Sequence, residues 1–114
     1  MFSLDKGMLV MGFRNHMEPL SFKEAEKLIR KISQYGSVIP STHARGQMKE
    51  RDYTTRDVFH ILKHGKIRKR EENPDGQHKY HVHGKDIEGH KGTVVVAIVN
   101  RKLLVIVTVL GGME

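Results

Sequence analysis

Two runs near the C-terminus, T-V-V-V-A-I-V at Thr93–Val99 and L-L-V-I-V-T-V-L at Leu103–Leu110, constrain the fold more than any other feature. Both are rich in β-branched residues and too short for typical helices, so they read as strands. Only Asn100-Arg101-Lys102 separates them, which predicts a tight antiparallel hairpin. Neither run alternates. A sheet with one face in water shows an apolar residue at every second position, whereas these strands are apolar on both sides. Something must cover the second face: the N-terminal segment, another protein, or a second copy of the chain, of which a homodimer is the preferred expectation. Thr108 is the one polar residue in the second run. If buried, its hydroxyl needs a partner. It is either an ordinary strand threonine or a residue at the end of the last strand, facing the groove where helices meet the sheet and holding a phosphate or a water.

Upstream, the period of the pattern changes twice. Phe22, Ala25, Leu28, Ile29 and Ile32 recur at helical spacing after the S-x-x-E capping box of Ser21 and Glu24, predicting a helix to about Gln34 with Gly36 as its stop. A second helix runs from about Arg56 to His64, capped by Thr54 or Thr55 and ended by Gly65. Lys66–Glu72 is a polar strand, Asn73-Pro74-Asp75-Gly76 a turn, and His78–Gly84 an alternating strand. The expected architecture is α+β, with N-terminal helices packed on a four-stranded antiparallel β-meander. Residues 17–114 form one domain. Residues 1–16 read as an extension of uncertain origin, with Met17 a second plausible start and Met8–Met11 a short strand or part of a loose extension.

Charge and composition narrow the function classes. Lys and Arg exceed Asp and Glu by 20 − 13 = 7, and eight histidines can add to that. A polyanionic partner is favoured, with RNA, DNA and an acidic protein all eligible. There is no cysteine, which disfavours a disulfide scaffold or a structural zinc site. No apolar run approaches the roughly 20 residues of a membrane span, and no secretory pattern opens the chain. A cytoplasmic protein without membrane contact is expected.

The stretch S-T-H-A-R-G-Q-M-K-E-R at Ser41–Arg51 carries the densest chemistry. With Thr42 as N-cap, a helix would set His43, Gln47 and Arg51 along one side beside the apolar Ala44 and Met48, while Arg45 and Lys49 point away. Gly46 weakens such a helix by about 1 kcal/mol relative to alanine. An imidazole and a guanidinium beside a buried face suit a phosphate-cleaving pocket; the plain alternative is a surface helix with half-exposed side chains. His81 and His83 share a strand face and form an H-x-H pair, yet no third ligand at fixed spacing follows, so no metal is expected. His60 and His64 sit four apart on the polar side of a helix and read as solvated surface. Lys66, Arg68 and their neighbours in K-I-R-K-R are a solvated strand or a track for a nucleic-acid backbone. Phosphate-loop, dinucleotide and nucleophile-elbow patterns are absent from the sequence.

S-T-H-A-R-G-Q-M-K-E-R-D-Y-T-T-R-D-V, then Gly65, then Y-H-V-H-G, V-V-V-A-I and V-I-V-T-V-L, resembles the bacterial domain-of-unknown-function 4258 family over about Pro40 to Leu110. The resemblance implies a barnase, EndoU, colicin and RelE-like fold, many of whose members are metal-independent ribonucleases of toxin systems. It implies that His43, Arg51 and Thr108 line the site. Arg45, Lys66, Arg68 and Tyr80 are assigned to substrate binding, Tyr80 matching a recurrent aromatic. The expected chemistry is cofactor-free attack of an RNA 2′-hydroxyl on the adjacent phosphate, with an antitoxin protein as a further partner. A second acid–base residue is missing from that set. The alternative is a non-catalytic module that binds nucleic acid or protein.

Overall fold

The computed structural model describes residues 19–111. The extension at residues 1–16, its short strand at Met8–Met11 and the second start at Met17 all lie outside the described residues. Three helices and five strands follow in the order α1 (Phe22–Tyr35), β1 (Ser37–Pro40), α2 (Thr42–Glu50), α3 (Thr55–His64), β2 (Lys66–Glu72), β3 (His78–Lys85), β4 (Lys91–Asn100) and β5 (Leu103–Gly111).

Local chemistry sets the helix ends. Ser21 Oγ accepts from Glu24 N while Glu24 Oε1 accepts from Ser21 N, which starts α1. Gly36 stops it, and its lack of a side chain is needed there, since a Cβ would lie 2.5 Å from the Lys102 carbonyl oxygen. Thr54 caps α3 through a reciprocal box with Asp57. The cap of α2 is Ser41 rather than Thr42: Ser41 Oγ accepts from Ala44 N at 3.0 Å and donates to Val107 O at 3.2 Å. One hydroxyl thereby starts the helix and fastens it to β5. The helix runs through Gly46 regardless. Phe22, expected on the packed stripe of α1, is 39% exposed, lying at the helix's first residue, one turn before Ala25.

The sheet has five strands rather than four and is mixed rather than antiparallel. Its order is β1-β5-β4-β3-β2, and β1 pairs parallel with β5, Val38 opposite Leu104 and Pro40 opposite Ile106. A four-residue strand carries little periodicity, and only its partner makes it a strand. Proline is tolerated there because β1 is an edge. Beyond Pro40, α2 takes over the edge position, with Ser41 N donating to Ile106 O and Gln47 Oε1 accepting from Val109 N. The opposite edge, β2, is blunted by charge and by Glu26 Oε2, which accepts from Ile67 N at 2.8 Å.

All three helices contribute to one core on one face of this sheet. Ala25, Leu28, Ile29, Ile32, Ala44, Val58, Ile61 and Leu62 pack against Ile67, Tyr80, Val82, Val94, Val96, Ile98, Leu104, Ile106 and Val109. Val95 and Ala97 are also buried, at 4% and 3% exposure, yet they stand outside this core cluster because they point to the other face. Among the described residues no helix is long and apolar enough to cross a membrane.

Candidate functional site

A bulge decides where Thr108 points. Val95 pairs with Thr108 but Val96 pairs with Ile106, so Val107 is the extra residue on β5. Continued alternation from Leu104 and Ile106 would carry Thr108 to the helix side. The bulge instead puts Val109 in the core and Thr108 beside Val95 on the face away from the helices. Thr108 does not face the groove expected from the sequence.

The same bulge brings α2 to Thr108. Ser41 is bonded to Val107 O and Gln47 to Val109 N, so the turn of α2 that carries His43 runs beside Thr108. His43 is exposed and makes no hydrogen bond or ion pair among the described residues. Arg51 is the C-cap of the same helix, eight residues further and about 12 Å along its axis. Its side chain is 26% exposed and its Nη1 lies 3.8 Å from the exposed Glu50 carboxylate. Its Nε is enclosed without a hydrogen-bond partner. A desolvated donor left unbonded is costly. Arg45 lies about 200° round the helix from His43 and is not brought to this side.

Beyond Thr108 the outer face turns basic. Register pairing puts Lys66 beside His83, Lys69 beside His81, and Lys85 beside Lys91 on that face, with Lys79 next along β3. Arg68 sits at a second bulge, between Ile67 and Lys69. Burial first, then the charges of His81 and Arg68, push the His83 imidazole below its ordinary value. One strand carboxylate, Glu71, answers these cations. Its Oε2 lies 3.6 Å from Lys69 Nζ and its Oε1 3.5 Å from His81 Nε2. The contact with His81, opposed by desolvation and aided by the charges of His81, Lys69 and Lys79, holds the Glu71 carboxyl below the usual range. A cavity of about 390 Å³ opens at this end, lined by His83, Gly84, Lys91, Gly92, Thr93 and Leu110.

Tyr80 lies elsewhere. It is 3% exposed on the helix side, and its hydroxyl accepts from Leu20 N at 3.2 Å. Arg70 Nη1 donates to Leu20 O, so the two side chains anchor the approach to α1. Buried there, Tyr80 offers no surface to a substrate. His78 shares that face, buried, with Nδ1 3.5 Å from Glu72 Oε2. The H-x-H pair therefore gains no third histidine from it, and among the described residues no group of three or more metal-binding side chains occurs. His60 Nδ1 lies 2.7 Å from Lys85 O and its ring packs 4.7 Å from His64.

A buried polar clasp, unmarked by any sequence motif, fixes the end of the β3–β4 hairpin. Asp86 accepts from Tyr53 Oη at 2.8 Å, Glu88 N and His90 N. Burial raises its carboxyl, but these bonds together outweigh it, and the group sits below the ordinary aspartate range. Gly92 and Gly111, paired across β4 and β5, make room for the Tyr53 ring, since a Cβ on Gly111 would lie 2.3 Å from Tyr53 Cζ.

These features define a class: an α+β protein with helices on one face of a mixed sheet and a cationic, histidine-bearing surface on the other. The family model described as domain of unknown function (DUF4258) matches residues 41–110, and the chain belongs to that family. No curated protein and no solved structure matches it.

Proposed function

We propose that the protein is a small cytoplasmic RNA-cleaving, toxin-like protein whose helices and sheet are a variant of the barnase, EndoU, colicin and RelE-like fold. The observation that carries this reading is the enclosed Nε of Arg51, without a hydrogen-bond partner, on the helix that also carries the exposed His43 and is fastened through Ser41 and Gln47 to the strand residues on either side of Thr108. An imidazole and a guanidinium on one helix, a hydroxyl on the strand to which that helix is fastened, and a basic strand surface suit a phosphodiester better than any neutral ligand. The strand lysines would track the RNA backbone through phosphate contacts.

In this mechanism His43 removes the proton from an RNA 2′-hydroxyl, and the oxygen attacks the adjacent phosphorus. Arg51 neutralises charge that builds on the non-bridging oxygens, and Thr108 donates a hydrogen bond to one of them. The P–O5′ bond breaks, leaving a 2′,3′-cyclic phosphate and a 5′-hydroxyl. Incubating the purified protein with labelled RNA in EDTA tests this. The parent is expected to give cyclic-phosphate ends, whereas His43→Ala and Arg51→Ala give none while unfolding at the parent's temperature. If both variants cleave like the parent, the site is wrong.

A second reading, a non-catalytic module for nucleic acid or an antitoxin-like partner, is favoured by the apolar half of the outer face. There Ile39 is 47% exposed opposite the half-buried Val105, with the half-buried Leu103 two residues along, a surface on which a partner protein or a second copy of the chain would bury area. Salt-sensitive retention of RNA with no product from any variant would select that reading.

A further inference from the structure

Transfer of the 2′-hydroxyl proton to His43 leaves the other half of the reaction without a donor, because the departing 5′-oxygen is a strongly basic alkoxide unless it is protonated as it leaves. Two arrangements on the outer face bear on this. His81, Val95 and Thr108 form one row across β3, β4 and β5, all on the face away from the helices. Two strand spacings separate His81 from Thr108, about 10 Å between backbones, and a phosphodiester held between their side chains would bridge that gap. Val95, between them, is uncharged and buried, at 4% exposure.

The second arrangement is the orientation of the ring. His81 Nε2 is enclosed and lies 3.5 Å from Glu71 Oε1, an ion-pair contact rather than an aligned hydrogen bond. Glu71 in turn contacts Lys69 Nζ at 3.6 Å. A carboxylate behind one ring nitrogen fixes the ring's direction and gives an imidazolium its counter-ion, leaving Nδ1 for substrate. His83, two residues along on the same face, has no such carboxylate, and among the described residues no third ligand joins the pair to make a metal site.

We propose that His81, oriented by Glu71, is the general acid of the site and delivers its proton from Nδ1 to the leaving 5′-oxygen. This rests on the cleavage reading above. The step balances: the O2′–P bond forms, the P–O5′ bond breaks, His43 gains the 2′ proton and His81 gives one to O5′, and both rings return to their starting forms through solvent. Glu71 is a positioning residue, since it acts only through His81.

A general acid is dispensable when the leaving group needs no proton. The decisive experiment compares a diribonucleotide with a uridine 3′-(4-nitrophenyl phosphate), whose nitrophenolate departs unprotonated, in EDTA. His81→Gln should lower kcat/KM for the diribonucleotide by about 100-fold or more and for the nitrophenyl ester by less than about 10-fold. Glu71→Gln should show the same selectivity with a smaller loss. His81→Asn, checked for parent-like thermal unfolding, guards against a folding artefact. Equal losses on both substrates, or none on either, would overturn the assignment while leaving the cleavage reading intact. A parent protein that cleaves neither substrate would overturn the cleavage reading itself, and the role of His81 with it.

Discussion

Val95 and Val96 are neighbours in β4, both buried, and they belong to different worlds. Val96 is fully enclosed in the core beneath the helices, opposite Ile106. Val95 lies on the other face between His81 and Thr108. On the helix side, shape fixes each residue, and the polar groups include caps and clasps such as Thr54 with Asp57 and Tyr53 with Asp86. On the outer side the sheet carries five lysines, an arginine at a bulge, two histidines and Glu71 at one end, and valines and leucines at the other. Such a division teaches that the first face holds the fold together, while the second gathers the charge.

The comparison can be broken at its strongest point first. Ile61 is fully buried and touches the helix side of β3 and β4 near Gly84 and Gly92. Ile61→Ala is expected to cost about 2–5 kcal/mol, measured by urea unfolding. A cost below 1 kcal/mol would mean that the helix layer contributes far less than its burial implies.

Next in size is the clasp at the hairpin end. Tyr53→Phe removes the donor at 2.8 Å from the buried Asp86 and should cost about 1.5–3 kcal/mol, as for a hydrogen bond to a charged group. Asp86 has a lowered pKa in the fold, so its contribution is fully present above the ordinary value of 3.8 and is lost as pH falls through the folded value. The gap in stability between parent and variant should therefore be full at pH 7 and narrow below pH 3.8. A gap independent of pH would show that the hydroxyl's contribution does not depend on the charge of Asp86.

The smallest effect on stability belongs to the outer face. Replacing Lys66, Arg68 and Lys69 together by alanine should leave unfolding within about 0.5 kcal/mol per site. The same variant should bind single-stranded RNA more weakly, with the log–log salt slope shallower by about 2 for three lost phosphate contacts. An unchanged slope would remove the basic end from the binding surface.

Much of this molecule is legible from local chemistry. Ser21 with Glu24, Gly36, Thr54 and Gly65 mark helix ends because caps act within one turn, on backbone groups next to them. The Asn73–Gly76 turn and the hairpin at Asn100–Lys102 are equally local, and β2 has the residues that its charge pattern suggests. The candidate site is legible only in part. The residue types of His43, Arg51 and the H-x-H pair are plain in the chain, but which face each occupies is not. His78 lies near His81 and His83 in the chain and is buried on the opposite face. Tyr80 reads as a substrate contact and turns out to be a core anchor.

The sequence by itself therefore determined the identity of the helices, the four long strands and the excess of positive charge, all properties of short windows or of composition. Tertiary structure decided three other things. It made Ser37–Pro40 a fifth strand, since four residues become a strand only through the hydrogen bonds of β5. It let α2 cap the rest of that edge through Ser41 and Gln47. Through the bulge at Val107 it turned Thr108 away from the helices and onto the face that carries His81. A side-chain period of two cannot survive one extra residue, and whether that residue is accommodated depends on the partner strand, not on the run that contains it.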